Sequence, residues 1–197
     1  MRRRGWRHLA RDRSAWGPAL VLGVLVAGFG LPRACDTGRD AVRAYRVAQW
    51  EDPIRQYAES RGLEPALVRA VVLAESSGNP EAHSPADAKG LMQITPITHR
   101  DAIERFHLAD GDLFDPHYNL KVGTAYLAYL LDRFDGDRTL ALAAYHMGPT
   151  RVARLRREHA ELSPSELVAQ HAGPKTRAYV RRVLEETAGA EETPEPR

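Results

Sequence analysis

An apolar run, Leu67 to Ala74, ends in a carboxylic acid, Glu75, and is closed by Gly78 and Pro80. This stretch constrains the chain more than any other. Val68, Val71 and Val72 lie seven, four and three residues before Glu75. On a helix these spacings share one face. The acid is therefore expected to point where the valines point. Burial disfavours the charged form of a carboxyl, so the side chain would keep its proton near neutral pH and could donate it. The alternative is a solvated glutamate in a last helical turn.

The flanking sequence repeats this helical grammar. Asp52-Pro53 reads as a cap followed by a first-turn proline, with Ile54, Tyr57 and Ala58 at helical spacing and Gly62 as the stop. Pro65 opens the run to Glu75, and residues 77–95 read as loop. Helical patterning returns over Thr98–Phe106. The clearest helix is expected from Asn119, with Leu120, Gly123, Leu127, Leu130, Leu131 and Phe134 on one side. Gly123 costs such a helix roughly 1 kcal/mol against alanine, which close packing of a neighbour would explain. Shorter helices are expected over Thr139–His146, over Arg151–Glu158 and from Pro164, and a final one over Pro174–Thr187. Strand alternation and internal repeats are absent. The fold class is all-α.

Charge divides the chain. Residues 1–34 carry seven arginines and one aspartate, net +6, while the remainder carries 21 basic and 25 acidic residues, net −4. The folded part therefore offers no basic surface for nucleic acid. The arginines precede about 13 apolar residues, Ala19–Leu31, which reads as an export signal. Counting from Ala15 gives 17 residues, so an uncleaved anchor is the alternative. Either way the chain meets a membrane through its N-terminal segment, and the rest is delivered outward. The expected organisation is signal or anchor over 1–34, linker over 35–51, domain over 52–188 and a disordered tail over 189–197. Cys35 is the only cysteine, which excludes an intrachain disulfide and a Cys-based metal site. Leu31-Pro32-Arg33-Ala34-Cys35 resembles a bacterial lipoprotein processing site, although Arg33 is charged and Leu31 is one position early. Cys35 is thus a lipidation candidate.

Five blocks in order carry a wider resemblance. They are Glu75-Ser76-Ser77-Gly78-Asn79-Pro80 with Ser84; Gly90-Leu91-Met92-Gln93; Asn119 to Leu127; Ala143-Ala144-Tyr145-His146-Met147-Gly148; and Thr176-Arg177-Ala178-Tyr179-Val180. The chain resembles the lysozyme-like lytic transglycosylases of the soluble-lytic-transglycosylase type. The resemblance implies a single lysozyme-like domain that cleaves peptidoglycan glycan strands, with no metal or cofactor. It implies Glu75 as the one catalytic acid, Ser84 as a serine bonding near it, and Met92, Gln93, Tyr145 and Tyr179 as residues around the sugar. It further implies cleavage between N-acetylmuramic acid and N-acetylglucosamine, with a 1,6-anhydro end. His146 stands where the family has asparagine. An imidazole there is expected to face the groove, and His146→Asn to broaden activity on the acidic side. Two other readings stay open. A lysozyme-type hydrolase needs a second carboxylate, for which Asp87 is the candidate. A non-catalytic peptidoglycan-binding protein of a secretion apparatus would have a worn site, with His146 as the sign. The expected location is the cell envelope, on the periplasmic side, with a secretion or division complex as a further partner.

Overall fold

Proline sets where most of the helices start. It occupies a position in the first turn that needs no backbone donor, with φ already helical. The structure, a computed structural model, describes Gly38 and residues 41–191. A helix over 41–48 (α1) is followed by α2 (Glu51–Glu59), α3 (Pro65–Ser76), α4 (Pro96–Phe106) and α5 (Pro116–Arg133). Then come α6 (Arg138–Met147), α7 (Pro149–Glu158), α8 (Pro164–His171) and α9 (Pro174–Glu191). Among the described residues the only β pairing is two isolated bridges, His83 with Lys89 and Lys89 with Ile94. The fold is all-α, as expected.

Aspartate caps explain two starts that the sequence pattern placed late, and a serine cap holds a third where it was expected. Asp115 accepts from the Tyr118 amide at 2.7 Å, so α5 begins at Pro116 and not at Asn119. Asp137 accepts from the Leu140 amide at 2.8 Å and starts α6. Ser163 and Glu166 form a full capping box on α8. The first of these helices after residue 50 differs from expectation. Trp50, not Asp52, takes the cap position of α2 and makes no side-chain cap bond.

Within the unit that begins at Arg43, α3 is the central element, packed between α2 and α9, and α6 packs against α5, α7, α8 and α9. Val68, Val71 and Val72 are fully buried, as are Leu127, Leu130 and Leu142. The helix over 41–48 falls inside the stretch 35–51 expected as a linker. Its Val47 is fully buried in the core. The mixed charge of that stretch hid two inward side chains, Val47 and the half-buried Trp50. Its backbone also presses on the loop after α3. A Cβ at Gly78, whose φ is 73°, would meet the Val47 nitrogen at 2.7 Å. The Trp50 indole N–H donates to the Gly78 carbonyl at 3.0 Å. The signal or anchor segment, 1–34, and Cys35 lie outside the described residues.

Gly123 fulfils its expectation of close packing. A Cβ there would come within 2.9 Å of the Met92 Cβ. The glycine lets the loop carrying Met92 and Gln93 sit directly on α5.

Candidate active site

Glu75 occupies the last turn of α3, which stops because Ser77 turns left-handed at φ 55°. The residue is half-buried. It is still enclosed enough that burial raises its pKa from 4.5 to about 7. Two groups act against burial: the Tyr179 hydroxyl and, more weakly, the positive charge of Arg182. The Tyr179 hydroxyl is buried and makes no aligned hydrogen bond. It nonetheless lies close enough to the carboxyl to favour its charged form.

Two helices supply the walls. From α6, the Tyr145 hydroxyl donates to the Met92 carbonyl at 2.8 Å, and its ring meets Tyr126 edge-on at 5.9 Å. Burial first, and then the Glu75 charge, push the pKa of both Tyr145 and Tyr179 well above the ordinary phenol value. Both stay neutral donors at any working pH. From α9, Thr176 Oγ1 lies 3.0 Å from His146 Nδ1, and the Tyr179 ring packs on the imidazole at 4.8 Å between centroids. His146 thus reaches Glu75 through Tyr179. Its side chain remains exposed, and burial together with Arg182 and Lys175 pushes its pKa below 6.5.

The loop 77–95 forms the floor, and here several expectations change. Met92 is fully buried against Gly123. Its side chain packs beneath the loop, and its carbonyl accepts from the Tyr145 hydroxyl. Gln93 sits at φ 48°, and its amide nitrogen donates to the Ala82 and Gly90 carbonyls at 3.0 and 3.1 Å. That leaves its carbonyl end for a ligand. Ser84 Oγ accepts from the Ala86 and Ala88 amides at 3.2 and 3.1 Å, so it ties the loop to itself. Asp87 accepts from His83 at 2.7 Å and pairs with Lys89 at 3.3 Å. These partners pull its pKa down, the His83 bond most, so it is a neutralised surface carboxylate.

Three residues outside the expected site matter to it. Asn119 is fully buried and accepts from the Met92 amide while donating to the Lys89 and Leu113 carbonyls, each at 2.8 Å. Thr176 opens the fifth block without an expected role, and Arg182 lies outside all five blocks. Spacing could have found both, since 176, 179, 182 and 186 follow one helical stripe.

With this geometry in place, the relatives can be compared. A family model described as the transglycosylase SLT domain matches residues 52–168. The chain belongs to the transglycosylase SLT domain family. A soluble lytic murein transglycosylase of Salmonella typhimurium is 33% identical over 140 residues, covering 68% of this chain and 22% of that protein. A membrane-bound lytic murein transglycosylase C of Serratia proteamaculans is 34% identical over 124 residues, covering 56% and 34%. The solved structure of an inactive glutamate-to-glutamine mutant of lytic transglycosylase Slt from Pseudomonas aeruginosa superposes with a TM-score of 0.66 at 29% identity. It covers 74% of this chain and 25% of that one. The lysozyme-like fold expected from the sequence is the fold of these structural neighbours. The chain spans about a quarter of the length of the soluble relatives it matches.

The lowered pKa of His146 moves its expected effect. Below 6.5 the imidazole stays neutral over a wider acid range than a free one. His146→Asn should therefore match the parent chain at pH 6.5 and above, and gain activity over it only at lower pH. A pH–rate profile of both forms on purified peptidoglycan checks this. Profiles that coincide to the acid limit would reject a titrating His146 beside Glu75.

Proposed function

We propose that this chain is a peptidoglycan lytic transglycosylase that uses Glu75 first as acid and then as base. The observation that carries the reading is one carboxyl, at the end of a buried helix, with its pKa raised to about 7 between two neutral tyrosines. A group poised near the operating pH can give a proton and take one back. Glu75 protonates the glycosidic oxygen between N-acetylmuramic acid and N-acetylglucosamine. The substrate's N-acetyl group assists departure. The Glu75 carboxylate then removes the proton from the muramic acid C6 hydroxyl, whose oxygen closes onto C1 and gives the 1,6-anhydro end. Gln93, Tyr145, His146 and Tyr179 line the sugar site, and Ser84 holds the loop beneath it. Asp87, already paired with His83 and Lys89, is poorly suited to act as the second carboxylate of a hydrolase.

The domain 52–188 works in the cell envelope, held to or exported across the membrane by residues 1–34, with Cys35 a lipidation site. The basic-then-apolar N terminus and the membrane-bound relatives support this placement. Mass spectrometry of digested peptidoglycan tests the activity. Anhydro-muropeptides are the expected product. Hydrated, reducing ends would establish a lysozyme-type hydrolase, and intact sacculi a binding protein.

A further inference from the structure

One charged group at the site has no part in the scheme above. Arg182 is exposed on α9, and its guanidinium Nη2 donates to the Ala74 carbonyl at 3.5 Å. Ala74 directly precedes Glu75, and its carbonyl belongs to the last turn of α3, where such groups lack helical partners. Successive turns of α9 each hold a different part of the site. Thr176 meets His146, Tyr179 stands over Glu75, Arg182 grips the backbone before Glu75, and Glu186 pairs with Arg69 of α3 at 2.9 Å.

We propose that Arg182 is a positioning residue for the reaction, a cation pinned to the end of α3 to steady the carboxylate that Glu75 becomes after giving up its proton. The inference rests on the transglycosylase reading. Under that reading the same carboxyl must persist, ionised and half-enclosed, until the C6 hydroxyl proton reaches it. A buried carboxylate with no cation nearby is costly. A cation in direct contact would trap it as a salt bridge and spoil the acid. Arg182 does neither, because its bond goes to the backbone carbonyl and only its charge reaches the side chain.

The other groups facing Glu75 cannot supply this. From α9, Tyr179 is neutral. From α6, Tyr145 is neutral, and the neighbouring His146 is held away from its charged form by burial, Arg182 and Lys175. Lys175 bears on His146. Arg182 is thus the cation whose charge is felt by both Glu75 and His146.

The sign follows directly. Arg182 favours the Glu75 carboxylate, so its removal must raise the Glu75 pKa above the value of about 7. The test uses Arg182→Gln and Arg182→Lys in the full chain, with two readouts. The first is a carbon-13 NMR titration of the Glu75 side-chain carboxyl, which needs no turnover. The second is the pH–rate profile for anhydro product. Arg182→Gln should move the Glu75 titration and the alkaline limb up together by about half a unit or more, and lower plateau kcat about fivefold with KM unchanged. Arg182→Lys should restore most of both. Because Arg182 is exposed, neither variant should unfold, which a thermal melt verifies. An unmoved Glu75 titration in Arg182→Gln overturns the proposal even if activity falls, since lost packing alone would do that. A parent chain giving no anhydro product fails the functional reading, and the NMR titration still decides on its own whether Arg182 acts on Glu75.

Discussion

Glu75→Gln should cost about 10³-fold or more in turnover, because it removes the one group that gives a proton to the leaving oxygen and then takes another from the C6 hydroxyl. The amide keeps the shape of the acid and cannot ionise. Binding to purified sacculi should persist while anhydro product disappears. The same variant carries a second signature. Glu75 has a folded pKa of about 7 against 4.5 ordinarily. Below pH 4.5 both folded and unfolded chains hold the proton, and the site costs nothing. Between 4.5 and 7 the unfolded chain ionises first, so stability falls as pH rises. Above 7 the folded chain ionises too, and the full cost of the enclosed charge is present, at most about 3 kcal/mol and less where solvent reaches the groove. The glutamine variant escapes that cost. Its melting temperature should exceed that of the parent by several degrees at pH 8, at roughly 2–4 °C per kcal/mol, and match it at pH 4. Thermal melts across pH check the sign. Equal melting temperatures at pH 8 would mean that Glu75 is not held in an enclosed environment, and retained turnover would end its role as the acid.

Asn119→Ala should be the most damaging change to the fold around the site. The amide is fully buried and closes three bonds at once, to the Met92 amide and to the Lys89 and Leu113 carbonyls. Alanine leaves these backbone groups without partners, at roughly 1–3 kcal/mol for each that stays dry, and opens a void beside Gly90. A total loss of about 4 kcal/mol is expected, a large share of a typical domain's stability. Denaturant unfolding measures it. Activity should fall as well, since the loop that carries Gln93 and the Met92 carbonyl loses its tie to α5. A loss under about 1 kcal/mol would mean that water or loop movement replaces the amide, contrary to the role assigned to it here.

Much of this site could be read from residue order alone. Glu75 stands out because three valines at helical spacing fix its direction, and a helix is the one element whose period makes that inference short-ranged. Tyr145, Tyr179 and His146 follow from the resemblance. What stayed hidden depends on contacts distant in sequence. Val47 looks like part of a charged linker until its burial is seen. Trp50 bonds to a carbonyl at Gly78, and nothing in either neighbourhood announces the other. The resemblance implies Met92 as a residue around the sugar. The loop alternates direction there, and Gly123 on a different helix leaves the space into which the thioether falls. Ser84 is also tied into its own turn, where its oxygen accepts two amides while its O–H is left to donate. Asn119 reads as a helix start because asparagine caps helices well. It is in fact an interior residue of a helix capped by Asp115, and its amide serves the Met92 amide and Lys89 carbonyl far from it in sequence as well as the Leu113 carbonyl six residues back.

The single stripe on α9 has a consequence for how the proposed activity can fail. Thr176, Tyr179, Arg182 and Glu186 are spaced along one rigid rod, so they shift as a set. A slight slackening of α9 against α3 would let water in around Glu75 long before the core melts. The carboxyl would then lose its proton at ordinary pH, and the catalyst would fall silent while still folded. Heat, mild denaturant or a cut beyond residue 168, where the family match ends, should therefore extinguish cleavage ahead of helicity. The acid is in this sense a gauge of whether the last helix is seated.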